Sequence, residues 1–174
     1  MGRTWALAFG ATVLLATAGC SQSGPYRLSW VFVVDPSTGA TESSAGACGN
    51  HGVDSILATG TDGGGDGQQV IALCVPGSFT GSATPGDWTF TFEMLDAGGQ
   101  PVRPVNPPVG APGAMPPQPT VSAGPATIAA DGPTAEFAVQ LTPPPECNDG
   151  IDNDGDGRVD LADPDCADLS GAHE

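Results

Sequence analysis

The stretch that most constrains this 174-residue chain is a run of aspartates near its carboxyl end, between Cys147 and Cys166. Three of these aspartates stand at alternate positions: Asp152, Asp154 and Asp156. Gly157 follows directly, and glycine permits the positive φ that a sharp turn needs. Alternate carboxylates on a tightly curled loop can direct their oxygens at one centre. The stretch therefore predicts a loop built around a cation.

The spacing is that of an EF-hand-type loop, in which Ca²⁺ gathers about six to eight oxygen atoms. Asp163 stands at the twelfth position counted from Asp152, and the carbonyl of Arg158 falls where such loops use a backbone ligand. Asp160 contributes directly or through a water molecule. The sequence thus predicts Ca²⁺ as the cofactor, with these ligand residues: Asp152, Asp154, Asp156, Arg158, Asp160 and Asp163.

The loop departs from an EF-hand in two respects. Its twelfth residue is aspartate rather than glutamate, and Pro164 follows at once, so no helix flanks the loop. The bracketing cysteines can act as the clamp instead. The stretch resembles the cysteine-framed aspartate repeats of thrombospondin type 3 modules. It resembles still more a Cys-x-Asp-Gly-x-Asp-x-Asp-x-Asp-Gly motif of surface proteins from myxobacteria and similar bacteria. The alternative is a solvated acidic tail, as most runs of like charge are.

Residues 1–19 predict a helical signal peptide, and residues 20–25 a linker to a lipid anchor. Arg3 gives a basic start, and an apolar stretch too short to span a bilayer comfortably follows. Thr17-Ala-Gly-Cys20 then resembles a bacterial lipobox, which implies that Cys20 carries lipid, although leucine is usual where Thr17 stands. Alternatively, an ordinary signal peptidase cuts after Ala18. Ser21 follows the cysteine and favours the outer membrane, on either its periplasmic or its surface-exposed face.

Cysteine parity favours the lipid anchor. The chain has five cysteines, and an exported chain with an odd number leaves one thiol unpaired in an oxidising compartment. If Cys20 is lipidated, the other four split into two pairs, Cys48–Cys74 and Cys147–Cys166. Closing the first of these loops contributes about 3 kcal/mol in the chain-entropy model.

The charge balance excludes one large class of partner. The chain has 4 basic residues against 20 acidic ones, for a net charge of −16. Nucleic acids need a basic face, so no nucleic-acid partner is expected. The same negative charge opposes electrostatic binding to anionic membranes. It does not oppose attachment to a membrane through the lipid anchor, so the membrane is an expected partner.

Residues 26–142 alternate between apolar and polar residues as β-strands do. The clearest alternation covers residues 26–34, 87–94 and 135–141, with weaker strands at 53–59, 69–75 and 121–129. Several short strands separated by Gly/Pro turns predict an all-β fold, a small antiparallel β-sandwich. Residues 98–119 are rich in proline, which cannot donate to a sheet ladder, and predict an exposed loop. Residues 143–174, here called the Asp-rich segment, are predicted to form an irregular calcium-loop module that follows the sandwich in sequence.

Three stretches of residues 26–142 carry a second resemblance. Leu28-Ser-Trp-Val-Phe32, Cys48-Gly-Asn-His-Gly-Val53 and Pro85-Gly-Asp-Trp-Thr89 resemble β-sandwich lipoprotein domains from the same bacteria. These domains have a prealbumin-like or carboxypeptidase-regulatory-like character.

Candidate catalytic residues are few. His51 with Asp54 and a serine would form a triad, but no nucleophile elbow accompanies them, so a polar loop residue beside a disulfide is the favoured interpretation. Asp62 and Asp66 lie in a glycine-rich stretch, where either a weak second cation site or an ordinary hairpin loop is expected. A zinc site is not expected, because the cysteines do not form Cys-x-x-Cys pairs.

These observations predict a non-enzymatic cell-envelope lipoprotein that is structural or binds a protein or glycan partner, with a calcium-stabilised carboxyl-terminal motif. The main alternative is a periplasmic accessory subunit of an envelope or secretion complex. A secreted hydrolase is a third class, which the lack of another titratable cluster in the sequence opposes.

Overall fold

The alternating stretches of the sequence become strands, and the predicted all-β sandwich is confirmed. The computed structural model describes residues 22–35, 38–104 and 121–167. These residues form two four-stranded sheets, one short helix and two 3-10 turns, at Glu146–Asn148 and Asp160–Ala162. The elements are β1 (Gly24–Asp35), β2 (Ala40–Glu42), α1 (Ser44–Asn50), β3 (Ser55–Asp62), β4 (Gly67–Leu73), β5 (Ser78–Ala83), β6 (Gly86–Leu95), β7 (Val121–Ile128) and β8 (Ala135–Leu141).

The first sheet is organised around the long strand β1. Strand β8 runs parallel to it along residues 26–32, while β5 and β2 pair antiparallel with its first and last parts. Between these two partners the backbone N–H of Trp30 donates to the carbonyl of Gly77 over 3.0 Å. The β1–β8 pair is the one parallel pairing of the named strands, so the sandwich is antiparallel in the rest of its ladders.

The second sheet has the order β4-β3-β6-β7, with every pair antiparallel. Strands β3 and β4 form a hairpin, and β6 pairs with β3 along its whole length. Pro125 lies in β7 at the edge of the sheet, where its missing donor breaks no inner ladder.

The core lies between the two sheets and is centred on three aromatic rings. The ring centroids of Tyr26 and Phe90 are 5.1 Å apart, and those of Phe90 and Phe137 are 4.8 Å apart. Gly60 lies under this cluster, where an added Cβ would be 2.5 Å from the Phe90 ring. The inward residues expected from the alternation are buried, except that Val34 is half-buried and Ala135 partly exposed. The buried ones are Tyr26, Leu28, Trp30, Phe32, Trp88, Phe90, Phe92, Met94, Phe137, Val139 and Leu141.

Two disulfides are present, and they are the pairs expected from the sequence. Cys48–Cys74 joins α1 to the residue after β4, and Cys147–Cys166 spans the aspartate run. The predicted signal peptide, Cys20 and residues 105–119 of the predicted proline-rich loop lie outside the described residues. Within the part of the chain that the structure describes, no helix is long and apolar enough to cross a membrane.

Three elements were not expected from the sequence. Helix α1 has seven residues, most of them small, so it is too short to show a helical period. Strand β2 has only three residues. Strand β5 contains Gly81, where an added Cβ would lie 2.5 Å from the Tyr26 hydroxyl, so a glycine stands where a side chain would have revealed the alternation.

Candidate metal centre

The structure brings together three of the predicted ligands. Carboxylate oxygens of Asp152, Asp154 and Asp156 all lie within 4.8 Å of one another. Calcium–oxygen bonds are about 2.3–2.6 Å long, so two oxygens on opposite sides of one ion lie about 5 Å apart. The spacing of these three residues, here called the aspartate trio, is therefore compatible with one bound cation of the size of Ca²⁺.

The loop curls because its own carboxylates accept backbone hydrogen bonds. Gly155 and Gly157 donate to the two oxygens of Asp152, over 2.8 and 2.9 Å. Both glycines have positive φ, 80° and 91°, a conformation that a side chain would strain. Aspartates that bond the backbone a few residues on are common turn formers, so the same residues build the loop and offer the ligands.

The other two members of the trio, Asp154 and Asp156, each accept a hydrogen bond from the backbone N–H two residues further along the chain. The N–H of Asp156 donates to Asp154 Oδ1, and the N–H of Arg158 donates to Asp156 Oδ1, both over 2.9 Å. An ionised carboxylate has two oxygens and about four lone-pair sites, so a single N–H bond leaves acceptor capacity for a cation.

The electrostatics of the trio favour a bound cation. Three carboxylates close together repel one another, and Arg158 offsets this only weakly. Its Nη1 lies 3.8 Å from Asp156 Oδ2, with both side chains substantially exposed, and exposed ion pairs of this kind contribute little. A divalent cation would remove the repulsion among all three.

Asp160 and Asp163 lie outside the trio. Asp160 is buried, and its Oδ1 accepts a hydrogen bond from the N–H of Gly150 over 3.1 Å. It has a φ of 52°, a left-handed conformation that is uncommon for residues other than glycine. Its role as a ligand, and that of the Arg158 carbonyl, stay predictions.

Asp163 is 3% exposed, and its Oδ1 accepts from the N–H of Asp165 over 2.6 Å. Its Oδ2 is buried and has no hydrogen-bond partner among the described residues. A buried carboxylate oxygen without a partner is costly, and a cation is one kind of partner that would satisfy it.

The Asp-rich segment is docked on the sandwich, which the sequence did not indicate. The side-chain amide of Asn153 donates to the backbone carbonyl of Asn50 over 2.6 Å. Asp149 places Oδ2 3.6 Å from Nδ1 of His51, and both side chains are almost fully buried. His51 was expected to be a polar loop residue beside a disulfide, and it does lie in the turn after α1, three residues beyond Cys48. Its side chain is buried against Asp149, a neighbour that the sequence did not indicate.

The glycine-rich stretch after β3 forms an ordinary hairpin turn. Asp62 Oδ1 accepts from the N–H groups of Gly64 and Asp66, over 3.0 and 2.7 Å. In the described part of the chain, the aspartate trio is the one group of three or more His, Cys, Asp or Glu side chains that lie close enough together to hold a metal ion.

The chain matches no protein-family model, no curated protein and no solved structure.

Proposed function

We propose that this protein is a non-enzymatic cell-envelope lipoprotein whose Asp-rich segment binds Ca²⁺, and that the β-sandwich is a structural or partner-binding module. The observation that carries the proposal is the aspartate trio, with its carboxylates within 4.8 Å inside a loop closed by Cys147–Cys166. The disulfide supplies the clamp that flanking helices provide in an EF-hand.

The donor set favours calcium over other metals. The trio offers only carboxylate oxygens, which suit hard cations, whereas zinc and copper sites draw on imidazole or thiolate. Mg²⁺ demands tight octahedral geometry and gives up water reluctantly, so it competes poorly at a largely exposed loop. We expect a dissociation constant on the order of 10⁻⁴–10⁻³ M, as for extracellular calcium modules.

The two disulfides support an exported protein with a lipid anchor. Structural disulfides form and persist in oxidising compartments. With Cys48, Cys74, Cys147 and Cys166 paired, Cys20 is the one cysteine of the five that remains. Lipidation of Cys20 accounts for this remaining cysteine, and its acyl chains then attach the protein to the membrane. The partner of the sandwich is a protein or a glycan.

Trypsin tests the calcium loop directly, because Arg158 is exposed inside it. The chain has four basic residues, and Arg158 is the one within the aspartate run, while Arg27 lies in β1 and Arg103 precedes a proline. Calcium should close the loop and slow cleavage after Arg158, as measured by mass spectrometry after reduction of the disulfides.

The matched control is Asp154→Ala with Asp156→Ala, which removes two of the three carboxylates and should be cleaved at the same rate with and without Ca²⁺. Cleavage of the wild-type protein that does not respond to millimolar Ca²⁺ would contradict the calcium proposal and leave an acidic tail.

A further inference from the structure

The contact between the Asp-rich segment and the sandwich, here called the seam, is formed at one turn. This turn comprises the last residue of α1, Asn50, and the two that follow it, His51 and Gly52; His51 lies three residues beyond Cys48 of the Cys48–Cys74 disulfide. Its contacts include Asn153 with Asn50, Asp149 with His51, and Ile151 with Gly52. The sandwich side is thus anchored by a covalent staple, and the segment side is the loop that carries the aspartate trio.

Asn153 links the two sides. Its neighbours in sequence, Asp152 and Asp154, are both members of the trio, so the backbone that positions their carboxylates also positions the Asn153 amide. That amide donates to the carbonyl of Asn50 over 2.6 Å and to Asp149 Oδ2 over 3.4 Å. Asp149 in turn lies against His51, so a continuous set of contacts runs from the trio to the sandwich.

The apolar part of the seam is equally close. An added Cβ on Gly52 would lie 2.8 Å from Cδ1 of Ile151, so the isoleucine packs directly on backbone. Gly52 has a φ of 60°, which a side chain would strain in any case. A cavity of about 640 Å³ opens beside this contact, and its walls include His51, Asp96 and Arg103 from the sandwich and Asp149 and Ile151 from the segment.

We infer that Ca²⁺ binding by the aspartate trio is coupled to docking of the Asp-rich segment on the sandwich, with Asn153 as the positioning residue. The inference rests on the proposed calcium site and adds its regulation. A bound ion fixes the backbone on both sides of Asn153, which holds the amide on Asn50. Linkage is reciprocal, so docking raises calcium affinity by the factor by which calcium favours docking.

The experiment measures calcium affinity of the full-length, oxidised protein and of two matched variants by calorimetry. Asn153→Ala removes the seam amide and should weaken calcium binding about three- to ten-fold, the effect of one lost hydrogen bond. Asn50→Ala is the control: its side chain donates to Glu42 rather than across the seam, and alanine keeps the backbone carbonyl that Asn153 uses. Its affinity should equal that of the wild type. Ile151→Ala weakens the same seam through its apolar contact, and it should lower affinity in the same direction.

A second readout follows His51 itself. The chain has two histidines, so imidazole proton resonances are simple to assign with a His173→Gln variant. Calcium should shift the His51 resonances in the wild-type protein, although no predicted calcium ligand is a histidine. The shift should shrink in Asn153→Ala and persist in Asn50→Ala.

The outcomes separate the two proposals. No calcium binding by the wild-type protein contradicts the proposed function, and the coupling falls with it. Calcium binding of equal strength in wild type, Asn153→Ala and Ile151→Ala, with His51 resonances that do not move, contradicts the coupling alone. An equal loss of affinity in Asn50→Ala and Asn153→Ala contradicts the role given to the Asn153 amide.

Discussion

The indole Nε1 of Trp30 donates a buried hydrogen bond to the backbone carbonyl of Cys74, over 3.1 Å. Cys74 is disulfide-bonded to Cys48 in α1, and α1 leads directly into the seam turn at His51. Direct contacts therefore connect β1, the central strand of the first sheet, with the Cys48–Cys74 disulfide. Through α1 they reach the surface on which the Asp-rich segment docks.

Removing the Cys48–Cys74 disulfide should lower the stability of the sandwich. The double change Cys48→Ala with Cys74→Ala opens a loop of sequence separation 26, and we expect the free energy of unfolding to fall by about 3 kcal/mol. Chemical denaturation followed by tryptophan fluorescence measures this, since Trp30 and Trp88 are buried. Cys147→Ala with Cys166→Ala is the control, because it should leave the sandwich transition nearly unchanged. Equal losses from both pairs would contradict the expectation that Cys48–Cys74 is the disulfide that stabilises the sandwich.

Gly60→Ala should destabilise the core by about 1–3 kcal/mol, because the new methyl group would lie 2.5 Å from a ring that is already packed on its other sides. The additional change Phe90→Leu should recover part of that loss by opening space for the methyl group. Gly67→Ala in the neighbouring strand is the control, since its nearest contact would be 3.9 Å away. Thermal unfolding of the four proteins measures the effects. A loss in Gly67→Ala as large as in Gly60→Ala would show that steric contact with Phe90 is not the cause.

The stability of the fold should decline at alkaline pH through Tyr26. Burial raises the pKa of its phenol above the ordinary value of 10.0, and the hydrogen bond from Gln68 opposes the rise. The folded state therefore holds this proton more tightly than the unfolded state. That contribution is fully present below pH 10.0 and is lost as pH rises through the folded-state pKa.

The measurement for Tyr26 is direct, because the chain has one tyrosine and its ultraviolet titration reports a single group. The folded protein should titrate at higher pH than the protein in denaturant. Tyr26→Phe should abolish the titration and remove this part of the alkaline loss of stability. Identical titration curves in the folded and denatured states would contradict the assigned burial of the phenol.

Lipidation of Cys20 predicts that the mature protein partitions almost completely into a detergent phase. Two or more acyl chains are needed for stable anchoring, because a single chain binds only marginally. Cys20→Ala should release the protein or leave it unprocessed, as seen by phase separation and mass spectrometry. A soluble wild-type protein with Gly19 at its amino terminus would instead show that ordinary signal peptidase cuts after Ala18.

Much of the fold was predictable because the strongest strands carry a local signal. Trp88, Phe90 and Phe92 alternate with threonines, and the period of two requires a strand with one buried face. The parallel pairing of β1 with β8 was not predictable. It joins the first and last strands, and the packing of the two sheets decides that register.

In the candidate site, too, features set by local sequence were predictable, and features set by distant parts of the chain were not. The aspartate trio was predictable because its geometry depends on spacing within five residues and on two glycines. The positions of Asp160 and Asp163 depend on the chain path beyond Gly157, which spacing alone does not determine. The seam contact between Asn153 and Asn50 joins residues 103 apart, and neither carries a pattern that indicates the other.

Calcium binding by the aspartate trio is the central claim, and isothermal titration calorimetry of the full-length, oxidised protein tests it most directly. The wild-type protein should bind Ca²⁺ at one site with a dissociation constant on the order of 10⁻⁴–10⁻³ M and should bind Mg²⁺ far more weakly. Asp154→Ala with Asp156→Ala should abolish the calcium heat while leaving both disulfides and the sandwich intact. No heat from the wild-type protein at millimolar Ca²⁺, or equal heat from the double variant, would contradict the account.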